Sequence, residues 1–213
     1  TAADRNVISG NGRNGVILDG ANASANVVSG NYIGTQATGL TALGNTEDGV
    51  QLQAGANNNV IGSLTAGGRN VISGNLNAGV ALDNSNTSGN AIRGNYIGLG
   101  VDGVSMLANS HDGVHMEGAW SNTVGGAQAG AGNVIAGNLI NGVGISNGQY
   151  NSVQGNLIGV DATGTVAKGN GGSGVSVSNV AINNLVGGGN AGDGNTIRNN
   201  VADGVNVGTL AYN

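Results

Sequence analysis

Short runs in which apolar residues alternate with small or polar ones recur along the whole chain. The first clear run is Val16-Ile17-Leu18, which directly follows a glycine. A period of two residues is typical of a β-strand that buries one face. The same Gly-Val-x-apolar pattern occurs seven times in all, with its glycine at Gly15, Gly49, Gly79, Gly113, Gly142, Gly174 and Gly204.

The spacing of these strand starts predicts a repeat. Successive glycines are 34, 30, 34, 29, 32 and 30 residues apart by subtraction. The segment Asn-Val-Ile-Ser-Gly-Asn at 6–11 returns unchanged at 70–75 and with changes at 133–138 and 195–200, at intervals of 64, 63 and 62 residues. A nearly constant period of this length indicates a solenoid. We therefore expect one solenoid over 1–213, a fragment of a longer repeat chain, with two-turn repeats at about 5–68, 69–132, 133–194 and a partial copy at 195–213.

Each unit contains three strand-like segments separated by Gly and Asn, which tolerate the backbone conformation of a sharp corner. Three short strands per turn, with turns stacked ~4.8 Å apart, describe a parallel β-helix. The predicted fold is all-β, a right-handed coil of about six to seven turns. Long and short turns alternate because loops interrupt different corners: 35–47, 99–111 and 160–173 in long turns, and 63–69, 126–132 and 188–194 in short ones.

Like residues should stack on like between turns. One inward column is predicted to be Val16, Val50, Val80, Val114, Val143, Val175 and Val205, with Leu18, Leu52, Leu82, Met116, Ile145, Val177 and Val207 beside it. On the second strand the inward column is Val28, Ile61, Ile92, Val124, Val153 and Val186. A corner column of Asn26, Asn59, Asn90, Asn122, Asn151 and Asn184 predicts an asparagine ladder, in which side-chain amides bond up the stack.

A family resemblance agrees with this prediction. The run 30–39 (Gly-Asn-Tyr-Ile-Gly-Thr-Gln-Ala-Thr-Gly), followed by 42–45 and 48–50, resembles the right-handed parallel β-helix repeats of large secreted or surface-exposed bacterial proteins. The resemblance covers essentially the whole chain. It implies a pectate-lyase-like fold and an extracellular or cell-surface location. It does not imply lyase activity, because such repeats also serve as stalks and adhesins.

Composition excludes several classes of function. With 44 glycines among 213 residues, a helical protein is disfavoured, because each glycine weakens a helix by about 1 kcal/mol. The net charge of −5 and only six basic residues give no electrostatic footprint for nucleic acid. No apolar run approaches the ~18 residues of a membrane span. The absence of cysteine excludes disulfides and thiol chemistry.

The best candidate for chemistry is the outward face of the first strand in each unit. Asp83, His115 and Glu117 should lie within one turn of each other there, with His111 and Asp112 at the adjacent corner. A histidine flanked by carboxylates can be a general base or a metal ligand, and paired carboxylates can serve glycoside hydrolysis. The alternative is a solvated surface, since neighbouring turns supply Gln, Ala, Gly and Ser at these positions.

A second candidate is the position directly before each Gly-Val pair, where Asp48, Asp112 and Asp203 recur. A repeated carboxylate at a corner can bind calcium, and Asp48 and Asp112 are the metal candidates. The alternative is a structural one, in which the carboxylate accepts bonds from backbone amides, as Asn14 and Asn141 in the same position suggest.

The outward column of the third strand is mostly apolar and predicts either a lateral contact surface or a stripe that the long loops cover. The column is Val7, Tyr32, Val71, Tyr96, Val134, Leu157 and Thr196, and Leu40, Leu43 and Leu107 are the expected cover. Taken together, these features favour a non-catalytic extracellular module, structural or adhesive, that contacts surface polysaccharide or stacks end to end on copies of itself into fibres. The alternative is a carbohydrate-active enzyme or a carbohydrate-binding β-helix.

Overall fold

The computed structural model describes residues 4–208 of the chain; 1–3 and 209–213 of the predicted solenoid lie outside the described residues. Twenty short strands form almost all of the regular structure. A turn of 3-10 helix occupies Ala66–Gly68. In chain order the strands are β1 (Val7–Ile8), β2 (Val16–Asp19), β3 (Val27–Val28), β4 (Tyr32–Ile33), β5 (Val50–Gln53), β6 (Val60–Gly62), β7 (Val71–Ile72), β8 (Val80–Asp83), β9 (Ala91–Arg93), β10 (Tyr96–Ile97), β11 (Val114–Glu117), β12 (Thr123–Gly125), β13 (Val134–Ile135), β14 (Val143–Ser146), β15 (Ser152–Gln154), β16 (Leu157–Ile158), β17 (Val175–Ser178), β18 (Leu185–Val186), β19 (Thr196–Ile197) and β20 (Val205–Val207).

The strands form three parallel sheets, one for each side of the coil. The first sheet has the order β2-β5-β8-β11-β14-β17-β20, the second β3-β6-β9-β12-β15-β18, and the third β1-β4-β7-β10-β13-β16-β19. Each strand therefore pairs with the strand three places further along the chain, so that each turn lies directly on the previous one. The predicted parallel β-helix with three strands per turn is confirmed.

The strand register also confirms the predicted columns. Val80 pairs with Val114, and Val114 pairs with Val143, so that identical side chains follow one another along the axis. The interior contains three such sets of apolar residues, one from each sheet, and the third set begins with Ile33 and Ile72. In the middle turns these side chains are buried without any aromatic ring among them, whereas Val205 and Val207 at the end of the described residues are exposed. Stacked aliphatic side chains therefore form the whole core.

The Gly-Val motif has a steric cause. A Cβ on Gly79 would lie 2.6 Å from the carbonyl oxygen of Gly113 in the next turn and 2.7 Å from Cγ2 of Ile97. Contacts this short do not occur in real structures, so a side chain here would push successive turns apart. The glycine is required because the chain enters the first sheet by passing directly over the same position of the neighbouring turn.

Asparagine ladders occupy all three corners of the coil. The predicted ladder, from Asn26 to Asn184, is present. Two further ladders were not predicted. One contains Asn6, Asn31, Asn70, Asn95, Asn133, Asn156 and Asn195, and the other contains Asn11, Asn45, Asn75, Asn109, Asn138, Asn170 and Asn200.

The long loops cover most of the apolar stripe on the third sheet. Each loop begins with a small antiparallel bridge, such as Thr35 with Ala42, and the loops of successive repeats bond to each other. Tyr32 is 5% exposed because the glycine-containing tip of its own loop, Gly39, lies against its ring. Of the leucines expected to provide the cover, Leu40 and Leu43 are nearly half exposed and Leu107 is half-buried. Glycine-containing loop backbone packs on the stripe, and the guanidinium groups of Arg5 and Arg69 each lie 4.1 Å from the ring centroid of Tyr32 and Tyr96, respectively.

Among residues 4–208 there is no helix with the length and apolar character needed to cross a lipid bilayer.

Candidate functional site

The candidate site lies where the chain enters β11, at the corner between the third and first sheets. Asp112 is the residue before the Gly-Val pair there, and it is buried. Its Oδ1 accepts hydrogen bonds from the backbone N–H of Asn141, at 2.8 Å, and from Nδ2 of the same residue, at 3.0 Å. Both donors belong to the next turn of the coil. They fix the carboxylate so that Oδ2 faces outward.

Two imidazoles converge on this second oxygen. Nδ1 of His115 lies 2.9 Å from Oδ2 of Asp112, and Nδ1 of His111 lies 3.5 Å from the same atom. The ring centroids are 5.1 Å apart, and the rings meet edge to face at 85°. Nδ1 of His111 is buried and has no hydrogen-bond partner among residues 4–208. One carboxylate oxygen is therefore shared by two rings, and one ring nitrogen is left without a full hydrogen bond.

The electrostatics of the cluster follow from this geometry. Burial alone would raise the pKa of Asp112, but contacts with the two imidazoles and the bond from the Asn141 amide outweigh burial and hold the pKa well below its usual range. The hydrogen bond to Asp112 raises the pKa of His115, against the opposing effect of burial, and the nearby carboxylates of Asp83 and Glu117 raise it further. Since the carboxylate only accepts, the Nδ1 of His115 must carry the proton.

Small residues surround the cluster and leave space on both sides of His115. In the strand register His115 pairs with Ala81 in the turn before and with Gly144 in the turn after. A Cβ on Gly144 would overlap Oδ2 of Asp112. The absence of a side chain at this position therefore allows the carboxylate to face the imidazoles. Side chains of His115 and His111 remain 27% and 38% exposed, so solvent reaches the site.

Asp83 and Glu117 lie on the same outward face. They pair directly in the register of β8 and β11, two residues beyond the pair formed by Ala81 and His115. Each carboxylate is held by an amide of a neighbouring turn. Oδ2 of Asp83 accepts from Nε2 of Gln51 at 2.9 Å, and Oε1 of Glu117 accepts from Nδ2 of Asn147 at 2.6 Å. The carboxylates are thus ordered side by side on the surface.

Asp48 occupies the same corner position as Asp112 two turns earlier, since Val50 pairs with Val80 and Val80 with Val114. Its Oδ1 accepts from the backbone N–H of Ala78 at 2.9 Å. Burial raises the pKa of Asp48 to about 6, the Ala78 bond opposes this, and the charge of Asp83 adds to it. Asp48 has the strongly raised pKa and Asp112 the strongly lowered one, although both follow the same local pattern. The difference is that both imidazoles contact the carboxylate of Asp112 directly, whereas His115 acts on Asp48 only through its charge.

Comparisons with known proteins identify no family for this chain. No protein-family model matches it, and no curated protein matches it. Among solved structures, the crystal structure of the periplasmic alginate epimerase AlgG is similar, with a TM-score of 0.42 and 16% sequence identity over 93% of this chain and 37% of that one. The chain thus spans little more than a third of that protein. The fold is established by the strand register described above, and the epimerase activity does not carry over at this similarity.

The structure places the residues proposed from the sequence in two groups. Asp83, Glu117 and His115 share one outward face, as the predicted columns require, and their catalytic role stays a prediction. The two metal candidates, Asp48 and Asp112, are separated by the turn that carries Ala78, so they do not form one site. Calcium binding stays a prediction for each of them. Both accept backbone N–H bonds from the following turn, at Ala78 and Asn141, which is the structural role that the sequence left open.

Sequence reasoning missed two contributors to this site. Asn141 fixes the carboxylate of Asp112, and Gly144 makes room for it. A signal for both exists in the sequence, because the Gly-Val alignment puts Asn141 one turn above Asp112 and Gly144 one turn above His115. What alignment alone does not supply is the direction in which each side chain points.

Proposed function

We propose that this chain is a structural module of a secreted or cell-surface protein, a rigid β-helical rod whose side surfaces make adhesive contacts. The observation that supports this best is the set of three asparagine ladders. At the rungs in the middle of each ladder one amide donates to the next asparagine and to a backbone carbonyl, as when Nδ2 of Asn95 bonds Oδ1 of Asn133 at 3.0 Å and the carbonyl of Ile61 at 2.9 Å. Every turn is therefore bonded to its neighbours at all three corners, which suits a rod that must not bend or open.

The adhesive surface that we favour is the corner between the first and second sheets. Trp120 is 41% exposed and Tyr150 is 56% exposed. They lie in adjacent turns, because Trp120 bridges to Gln149, the neighbour of Tyr150. Large amphipathic rings are preferred at contact surfaces, since they provide area at little cost in side-chain entropy. Two exposed rings on successive turns suit the flat faces of a surface polysaccharide.

Adhesion is tested by binding of immobilised surface polysaccharides to the full chain. We expect retention that falls at least tenfold in Trp120→Ala and in Tyr150→Ala, and that is unchanged in Ser178→Ala on another face. Retention that is equal in all four proteins would place adhesion elsewhere on the rod.

A second function is favoured by one specific observation, the raised pKa of Asp48 on a face that also presents Asp83, His115 and Glu117. A carboxyl group whose pKa is raised to about 6 holds its proton in mildly acidic solution, where it is suited to act as a general acid on a glycosidic bond. This arrangement supports a carbohydrate-active enzyme as the alternative. The same face would then contact a polysaccharide chain laid along the axis.

One experiment separates the two functions. Polyuronates and neutral polysaccharides are incubated with the protein, with and without calcium, and new chain ends are measured. The structural proposal expects no product above the buffer blank. Product that forms with the wild type, disappears in His115→Ala and persists in Ser178→Ala would establish the enzyme and overturn the structural proposal.

End-to-end association of copies, expected from the sequence, stays a prediction. Sedimentation velocity across a concentration series measures it directly. We expect the sedimentation coefficient to rise with concentration, and a constant monomer value would rule out stacking.

A further inference from the structure

The histidine cluster at the entrance to β11 has the geometry of a metal site. One ligand atom from each of His111, Asp112 and His115 lies within 4.8 Å of the other two. These are the two histidines of the chain, which has no cysteine. All of its nitrogen donors of the imidazole type are therefore gathered at one corner.

We propose that His111, Asp112 and His115 bind one divalent transition-metal ion, with zinc as the representative ion. The site goes beyond the structural function proposed above and does not depend on it. Oδ2 of Asp112 and the Nδ1 atoms of the two histidines would be the ligands. Three protein ligands leave a fourth, solvent-facing position for water or an exchangeable group.

The interatomic distances fit this coordination. A tetrahedral zinc ion bound at about 2.0–2.1 Å keeps its ligand atoms about 3.3 Å apart. The observed separations from Oδ2 are 2.9 Å for His115 and 3.5 Å for His111. Small side-chain rotations would equalise them, and the ion would take the place of the proton on Nδ1 of His115, which passes to solvent.

Three further features support a bound ion over a simple hydrogen-bonded cluster. Nδ1 of His111 is buried without a hydrogen-bond partner among the described residues, and an ion would complete its bonding. Asn141 holds the other oxygen of Asp112 through two bonds, which is the outer-shell support that metal-binding carboxylates receive. Gly144 leaves open the space next to Oδ2 that any side chain would fill.

The donor set selects the kind of ion. Two imidazole nitrogens and one carboxylate oxygen suit zinc, cobalt, nickel or copper, whereas calcium and magnesium require shells made of oxygen. The expected ion thus differs from the calcium that the sequence suggested for Asp48 and Asp112. Of the corner aspartates within residues 4–208, Asp48 and Asp203 have no histidine next to them in the chain.

The test is a zinc titration of the metal-free full chain, carrying no polyhistidine tag, by isothermal titration calorimetry. We expect one equivalent of zinc to bind, with no competition from excess calcium. His111→Gln, His115→Gln and Asp112→Asn should each weaken binding at least tenfold. Asp203→Asn, which removes a carboxylate from an exposed turn of the same column, should leave the affinity within twofold of wild type.

Cobalt gives a second readout that does not rely on variants. Wild-type protein loaded with cobalt should show the intense visible absorption of a tetrahedral ion, and one equivalent of zinc should remove it. Absence of zinc binding in the wild type would overturn the proposal. So would zinc binding that survives both histidine substitutions, or that is lost in Asp48→Asn while His115→Gln retains it.

Discussion

Two corner columns of the coil use the same kind of bond and differ in what they tolerate. In the ladder through Asn95 every described rung is asparagine. In the column before the Gly-Val pairs the residues are Asn14, Asp48, Ala78, Asp112, Asn141, Ser173 and Asp203. Both columns accept backbone N–H bonds from a neighbouring turn. The Asn95 ladder is uniform, whereas the column before the Gly-Val pairs varies and contains the ionisable groups.

The difference follows from what each position must supply. A ladder residue must donate to the next rung and accept from the previous one, and among short side chains only the amide of asparagine does both in this geometry. The varied column needs at most an acceptor, since Ala78 occupies it without one, so aspartate serves as well as asparagine. An aspartate that uses one oxygen for the backbone has its second oxygen free, and Asp112 presents that oxygen to His111 and His115. Chemistry can therefore appear in the varied column without loss of the coil.

The largest expected effect comes from breaking a buried ladder. Asn95→Ala removes the acceptor of Asn70 Nδ2 and the donor to Ile61 and Asn133, all in the interior. Because each unsatisfied buried group costs about 1–3 kcal/mol, we expect unfolding free energy to fall by roughly 3–5 kcal/mol. Unfolding in guanidinium chloride measures this loss of unfolding free energy. In the varied column Asn141→Ala removes two bonds from a side chain that is itself only half-buried, so it should cost less, about 1 kcal/mol. Equal losses would show that the two columns do not differ as described.

A smaller effect, dependent on pH, is expected at Asp48. Its pKa is raised to about 6 in the fold, mainly by burial, with Asp83 and Glu47 adding to the rise and His115 opposing it. The folded state therefore binds more protons than the unfolded state between about pH 4 and 6, so the contribution of this group to stability falls as pH rises through that range. Above pH 6 the loss is on the order of 2–3 kcal/mol.

Asp48→Asn tests this directly, because the amide keeps an acceptor for Ala78 and cannot ionise. We expect the variant to be more stable than wild type above pH 6 and equal to it near pH 4, as measured by urea unfolding at each pH. A stability difference that is constant across the series would show that Asp48 does not titrate in this range.

The smallest effect is expected at Asp203, an exposed aspartate in the same column. Its Oδ2 accepts from Nδ2 of Asn206 at 2.8 Å in full contact with solvent. Asp203→Asn should change the unfolding free energy by less than about 0.5 kcal/mol. The comparison with Asp48→Asn separates the effect of burial from the effect of position in the column. A pH-dependent change as large as that of Asp48 would mean that position alone sets the stability effect.

Much of the fold could be predicted from the sequence, because a solenoid repeats its constraints in every turn. The Gly-Val spacing gave the turn length, and the apolar columns followed by alignment of one turn on the next. The second and third ladders were missed, although the asparagines at both ends of Asn6–Asn11 recur with the repeat. Hydrophobicity alone favours leucines as the cover of Tyr32, whereas in the structure Gly39 of its own loop and the guanidinium of Arg5 lie against the ring.

The sequence by itself determined the coil, its core columns and the single face on which carboxylates and histidines gather. Periodicity suffices for this, since pairing between parallel strands fixes which residues are neighbours. Only the tertiary structure decided that His111 and His115 converge on one oxygen of Asp112 and that Asp48 is left with a raised pKa. The physical reason is that both outcomes depend on the direction of each side chain and on how adjacent turns bury it. The N–H donor of Asn141 and the open space at Gly144 set the direction of Asp112, and the spacing of residues in the sequence does not encode such contacts.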